Sequence, residues 1–535
     1  MKPSLDNLPA EVLVEIFGQF CLHCRGEFRE PVGLSTSFQH ENPRPKQDRY
    51  ESSWYALDRD ALFSLSTSCR KLHPLAQAVL YHEFVLGYGD SVCSRVYDFD
   101  GRLASFMRTV GRRRDLAAKV RKVAIHPLLR ESVSTEEIRD LLLESAAVLG
   151  IDLVQAWKRR ADEASADERR RWGPHYDELL RIFLTPELRD PRKAHLEIMG
   201  PPCDFKAVDA ELITMLIALL PNMDHLSLWQ EQRSRLRFYP SAFQALGITT
   251  LPKLKTLETE INPHPILALA TGLETLNARE FLPSPTQDVN LPNLKTLRLA
   301  RMTCKKENVP AIISRCTGGL RAFLYEQEAS SATPDTDDYY LTPSQAVDAL
   351  KPHRKTLETL HLDFRYIYYT PPPSPAFFGL NDFCSLQRLL VSTAAIFYSP
   401  PASPDTQRLE KDRDRIWSRL PPPIVSLHLI KDEATTLESI QEGIIGLADM
   451  KKSHPKMFPH LVQLHLGAWD KLDEAVDRVM DAAGIALTVE FLPSSAKRPS
   501  KYTRATPLPD TTSHRGVPSW LNAYFERNRF RPNFR

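Results

Sequence analysis

Residues 8–21, LPAEVLVEIFGQFC, place apolar side chains at Leu8, Val12, Leu13, Ile16, Phe17 and Phe20. Steps of three and four residues bring these to one face of an α-helix. Pro9 suits the first turn, where the amide it lacks would have no helical partner, and Glu11 suits the positive helix end. The helix is predicted to stop near His23-Cys24. Residues 25–54 have no sustained period and are mixed with Gly, Pro, Asn and charge, so they read as a flexible inserted loop. Helical spacing returns over 56–84. Leu62, Leu65, Cys69 and Leu72 form one stripe; Pro74 breaks it, and Leu75, Val79, Leu80 and Phe84 form the next. Residues 1–86 therefore predict a small all-α bundle of roughly three helices, near the size at which a core is marginal alone.

Beyond residue 110 the period changes. An apolar residue, two others, an apolar residue, one other and an apolar residue recur. The copies are LPNMDHLSLW, LPKLKTLETE, GLETLNA, LPNLKTLRLA, GLRAFLY, TLETLHLDF, SLQRLLVS, PIVSLHLIK and HLVQLHLGAW, with fainter ones at Val120-Val123-Ile125 and Leu196-Ile198. Central positions 226, 257, 276, 297, 323, 360, 389, 427 and 464 are separated by 31, 19, 21, 26, 37, 29, 38 and 37 residues. Several spacings fall within or near the roughly 20–29 residues of a leucine-rich repeat. The longer ones contain Pro-rich inserts or loops such as residues 326–338. The pattern resembles an irregular leucine-rich-repeat array without the regular Asn of the strict consensus. Each unit offers a short strand that cannot bury its apolar face without stacked neighbours. Helices are predicted at 204–221, from Thr342 to Leu350, from Leu437 to Met450 and from Leu472 to Ala483, and a last strand at 485–491 closes the array. The expected fold class is α/β: an all-α bundle, then a first strand with a charged helical insert (87–190), then an α/β solenoid (191–491). Ser134 and Glu137 fit a capping box at the start of that insert. The tail, 492–535, ends in a short amphipathic basic segment with Trp520, Leu521, Tyr524 and Phe525 on one face, expected to dock on the array, with a separate partner as the alternative.

Composition narrows the function classes. With 69 basic and 67 acidic residues the formal net charge is +2, so no long-range field points to nucleic acid or membrane. The basic runs at Arg112-Arg113-Arg114 and Arg169-Arg170-Arg171 lie among acidic neighbours. No apolar stretch approaches the roughly 20 residues of a membrane helix, and the N-terminus lacks the pattern of a signal peptide. The 8 cysteines are spread too thinly for a disulfide scaffold, which places the chain in a reducing compartment, cytoplasm or nucleus. There is no phosphate-binding Gly-rich loop, no GxSxG and no HExxH, so no catalysis is expected of the chain.

Both halves of a known docking motif can be quoted from the first bundle. Leu8-Pro9, Glu11-Val12-Leu13 and Ile16-Phe17, then Leu65-Ser66, Cys69-Arg70 and Leu75-Ala76, resemble an F-box, LPxE[IV]LxxIF followed by LxxLSxxCRxLxxLA. Leu80-Tyr81-His82-Glu83-Phe84 resembles the segment that often trails it in fungal F-box proteins. The insertion at 25–54 departs from the compact motif. The resemblance implies docking on the Skp adaptor and, through it, a cullin-based ubiquitin ligase, with the array holding a protein target. It gives Leu8, Pro9, Val12, Ile16, Phe17, Leu65, Cys69, Arg70 and Leu75 as adaptor-facing residues, although any of the apolar ones can serve the bundle's own core. The alternative is a leucine-rich-repeat scaffold outside any ligase.

Residues between the apolar positions of each strand point to the opposite face. On a curved array that face is concave and solvent-facing. It would present Trp229, Arg279, Arg298, His361, Asp363, Arg388, His428 and His465 to the target, along with His225, Ser227, Glu258 and Gln463; Trp and Arg are types enriched at binding hot spots. His361, His428 and His465 share one repeat position, which allows a metal pair or pH switch but supplies no carboxylate or Cys partner. Cys21-Leu22-His23-Cys24 reads as half of a zinc site. A structural site needs four ligands, no second CxxC exists, and the helix end offers simple burial instead. No metal or cofactor is therefore expected.

Overall fold

The computed structural model describes residues 5–26, 54–86, 99–126, 129, 133, 135–163, 205–228, 238–279, 289–302, 305–327, 341–364, 379–397, 412–432, 435–468 and 471–491. They fall into two compact units, one ending at Leu273 and one beginning at Glu274. The faint repeat at Leu196-Ile198, the capping residue Ser134, Trp229, the insertion beyond Gly26 and the tail beyond 491 lie outside the described residues.

The first unit opens with four helices: α1 (Ala10–Gly18), α2 (Leu22–Arg25), α3 (Trp54–Ser68) and α4 (Leu72–Leu80). The predicted stripes meet in one core. Leu13 and Phe17 of α1, Cys21, Leu62 of α3, and Leu72, Ala76 and Val79 of α4 are buried together, with Leu8, Ile16, Phe20, Leu65, Leu75 and Leu80 packed around them. Each large apolar side chain so buried contributes about 1.5–3 kcal/mol before chain entropy is charged against it. Polar ties close the bundle: Lys71 Nζ donates to the Leu8 carbonyl (3.0 Å), His73 Nδ1 to that of Ser66 (2.7 Å), and the Arg59 guanidinium to that of Leu80.

Four parallel strands follow in the same unit, each paired with its successor: β1 (Glu83–Phe84), β2 (Lys122–Ile125), β3 (His225–Leu228) and β4 (Thr256–Thr259). The charged insert contributes helices Thr135–Val148 and Leu153–Glu163, and Phe205–Leu219 forms the predicted apolar helix. β1 was not expected from the pattern, because two residues are too few to show alternation.

The second unit carries β5 (Thr275–Arg279), β6 (Thr296–Met302), β7 (Ala322–Gln327), β8 (Thr359–Asp363), β9 (Arg388–Ser392), β10 (Ser426–Ile430), β11 (Gln463–Ala468) and β12 (Ala486–Phe491), again parallel and in chain order. Their register stacks the predicted central positions Leu276, Leu297, Phe323, Leu360, Leu389, Leu427 and Leu464 into one ladder, which Leu487 of the closing strand continues. Parallel neighbours need long crossovers. Helices Asn308–Ser314, Pro343–Leu350, Leu437–Ser453 and Glu474–Ala482 lie in them. Thr342 and Gln345 form a capping box that starts the second of these.

One junction recurs in both units. The carbonyl just before a strand accepts two amides from the start of the next. His82 O takes Arg121 and Lys122; Arg121 O takes Asp224 and His225; Asp224 O takes Lys255 and Thr256. In the second unit Glu274, Lys295, Arg321, Glu358, Gln387 and Val425 play the same part. Equal junctions satisfy equal backbone groups, which is why irregular spacers can be tolerated between regular strands. Gly272 and Gly318 hold matching places beside these junctions. A Cβ at either would lie 2.2 or 1.8 Å from the carbonyl oxygen of Pro252 or Pro292, so no side chain fits.

Candidate functional site

The helical bundle leaves part of its apolar surface outside. Among the described residues eight large apolar side chains are exposed, and five of them, Leu5, Val12, Val14, Leu57 and Phe63, precede residue 64. That concentration marks the first helices, rather than the strands, as the surface short of a cover. Val12, Pro9, Cys69 and Arg70 are exposed, whereas Leu8, Ile16, Leu65 and Leu75 are half-buried against the core. Phe17 is fully buried. Its expected place on a docking face is corrected: the side chain fills the bundle's centre between α1 and its neighbours. Phe63, which the motif comparison passes over, is 60% exposed.

The polar strand face differs from the open strip that alternation suggests. His225, Ser227 and Glu258 are buried and joined: Ser227 Oγ donates to Glu258 (2.9 Å), and His225 Nε2 lies 3.1 Å from Ser227 Oγ and 3.5 Å from Glu258. The same His nitrogen faces both partners while the serine donates to the carboxylate, so the trio is a buried polar tie and lacks the relay order of a nucleophilic triad. Lys122, in register with Glu83 and His225, is pushed below the usual lysine range by burial, against the pull of Asp224, Glu258 and Glu83. In the second unit Arg279, His361 and Asp363 are buried, and Leu324 and Leu390 occupy the same face, also buried. The expectation of a solvent-facing strip therefore fails at these positions, because both faces of the central strands are covered. Arg298, His428 and His465 are half-buried, and Arg388 is exposed. His428 and His465 do pair across β10 and β11, with ring centroids 5.5 Å apart; His361 is separated from them by Leu390 of β9.

A third constellation forms where α1 ends. Cys21 opens α2, and Gly18 lets this turn fold back on the helix: a Cβ there would meet that of Cys24 at 3.2 Å. Glu83 of β1 organises the turn. Its carboxylate accepts from the amides of Leu22 (3.2 Å) and His23 (2.9 Å) and from Cys21 Sγ (3.4 Å), with Arg59 at 3.8 Å. These bonds bring His82, just before β1, to the CxxC segment. Cys24 Sγ lies 3.3 Å from His82 Nδ1 and 3.8 Å from His23 Nδ1. The Cys21 thiol is pushed up to about 12 by its hydrogen bond with Cys24 and by burial, while the same bond holds Cys24 below the ordinary thiol value. Nothing in the sequence marks His82 and Glu83 as partners of the CxxC segment. They sit in a segment that reads only as the trailing edge of a helical motif, and no spacing rule joins them to residues so far upstream.

No helix among the described residues is long and apolar enough to cross a membrane. No protein-family model matches the chain, and no curated protein matches it significantly.

Proposed function

We propose that the chain is a non-catalytic substrate-recognition subunit of a Skp–cullin–F-box ubiquitin ligase. In this reading α1 and α3 dock on the Skp adaptor, and the parallel α/β region, an irregular leucine-rich-repeat solenoid, holds a protein target. The observation that carries it is the placement of exposed apolar side chains, which gather on the helices that resemble the docking motif. Apolar surface of that kind is stabilised by a partner. Pro9, Val12 and Phe63 face outward, so they carry the docking role without the bundle's own packing depending on them. The target-facing surface then lies at Arg388, His428, His465 and the adjacent exposed Gln463, where the polar strand face is least covered.

The test is binding of the purified full chain to the Skp adaptor by titration calorimetry. Wild type is expected to bind, and a Pro9→Ala, Val12→Asp, Phe63→Asp variant to lose at least about tenfold in affinity, since central apolar contacts are worth about 1–2 kcal/mol each. The variant's circular dichroism and denaturation midpoint should match wild type. No binding by wild type, or undiminished binding by the folded variant, overturns the reading.

A further inference from the structure

We propose that Cys21, His23, Cys24 and His82 form a structural zinc site that staples the helical bundle to the first strand of the sheet. The ligand-capable atoms of these four residues all lie within 4.8 Å of one another. Two come from sulfur and two from imidazole, the donor set that favours tetrahedral zinc. Zinc–ligand bonds of about 2.3 Å to sulfur and 2.0 Å to nitrogen put tetrahedral donors about 3.3–3.8 Å apart. The Cys24–His82 and Cys24–His23 separations, 3.3 and 3.8 Å, fall on those edges. The two imidazole rings meet edge to face at 75°, with centroids 5.2 Å apart, so they converge on the sulfurs instead of stacking.

The surroundings suit a closed, four-ligand site. Cys21 is buried, His23 and His82 are half-buried and Cys24 is exposed, which leaves one side for the ion to enter. Leu22, Tyr55, Val85 and Ala124 form an apolar cluster beside it. Two thiolates would neutralise the ion, and the nearby Glu83 charge is met by Arg59 and by two backbone amides. Binding would release the thiol protons, because a coordinated thiol is deprotonated outright. Glu83 then acts at second remove. It holds the amides that fix the turn, the kind of outer contact whose loss weakens metal binding by about 10–100-fold.

The mechanical consequence follows from the chain's path. Cys24 and His82 are 58 positions apart, and α3 and α4 lie between them. An ion held by both closes that whole excursion at its base. It also anchors the residue whose carbonyl starts the series of strand junctions. Small domains often add a metal where the apolar core alone is marginal. The site does not depend on what α1 docks against.

The test is metal content of the full chain, purified under reducing conditions and reconstituted with zinc, measured by elemental mass spectrometry. About one zinc per chain is expected. Cys24→Ser and His82→Gln should each lower zinc affinity by at least about tenfold, while Cys69→Ser and Cys384→Ser, exposed cysteines outside the cluster, should not. Cobalt in place of zinc should give the wild-type chain the visible absorption of a tetrahedral ion and a thiolate charge-transfer band, a readout independent of how any variant folds. Folded wild type that takes up no metal, affinity unchanged in both ligand variants, a cobalt spectrum without thiolate character, or a Cys21–Cys24 disulfide under reducing conditions would each overturn the proposal.

Discussion

Phe323 of β7 is fully buried, in register between Leu297 and Leu360, whereas Phe63 of α3 leaves 60% of its surface exposed. The contrast extends to their surroundings. In the strand ladder from Leu276 to Leu464 every central position is buried, and each strand supplies the cover for the next. The bundle inverts this. It keeps Val12, Val14, Leu57 and Phe63 outside and spends interior room on Cys21 and the Glu83 carboxylate. A repeat array solves its burial problem by addition of further units. A small helical bundle has no such recourse, so surface left over has to be met by something outside it, and polar groups taken inside have to be tied down.

Truncating those two phenylalanines tests the contrast directly and has the largest expected effect. Phe323→Ala should cost about 3–5 kcal/mol by urea denaturation, the range for a large cavity in a packed core. Phe63→Ala should stay within about 0.5 kcal/mol, as an exposed position does. Similar losses at both sites would mean that the bundle, too, uses its apolar side chains internally, and would remove the reason to seek a partner for it.

The same contrast explains what the sequence could and could not reveal. β2 to β11 are legible because each repeats one apolar spacing, and ten strands echo one another. Their central residues are core for the reason the spacing gives: no unit covers itself. Alternation alone does not say whether the opposite face is open. Hence His361 and Asp363 look like surface residues and are buried, with Leu324, Leu390 and Ile430 a hint in the sequence that this face too is covered. At the bundle the helices are legible, but Phe17, expected on the docking face, is core, because a stripe broad enough to serve both core and partner does not divide itself. The four-ligand cluster is least legible. Its CxxC half is plain in the sequence, while His82 arrives only through the fold, and the Glu83 carboxylate that positions it reads as the end of a helical motif, although it opens β1.

Glu83→Gln probes the polar half of the contrast. The carboxylate loses its charge but keeps one acceptor for the amides of Leu22 and His23. Hydrogen bonds to charged groups contribute about 1.5–3 kcal/mol, so a loss near the lower end of that range is expected. Its location matters more than its size. Amide hydrogen exchange should accelerate at Leu22 and His23 and remain unchanged at Leu324 and Leu362. Acceleration in both places would mean that the two regions unfold together, and the contrast between them would then be one of packing without independent stability.

The smallest effect belongs to His353, a buried histidine of the second unit. Its Nδ1 accepts from the Leu320 amide (3.3 Å) and its Nε2 donates to the Ile313 carbonyl (3.4 Å), an arrangement that requires the neutral ring. Burial holds it below the ordinary histidine value, against a weaker opposing pull from Ile313. The unfolded chain therefore binds more protons at this site as pH falls through about 6.5, and stability falls with it. The full contribution is present above that value and is lost on acidification, with a slope of at most about 1.4 kcal/mol per pH unit. His353→Gln should flatten the slope, since the amide can still accept and donate. Exchange at the Leu320 amide, followed from neutral to mildly acidic pH, reports this part of the array without reading the bundle. A slope unchanged by the substitution would show that acid acts elsewhere in the chain. The cysteine–histidine cluster is then the next candidate, because acid releases zinc from thiolate and imidazole ligands; chelation at neutral pH would reproduce such a loss at Leu22 and His23 while leaving Leu320 protected.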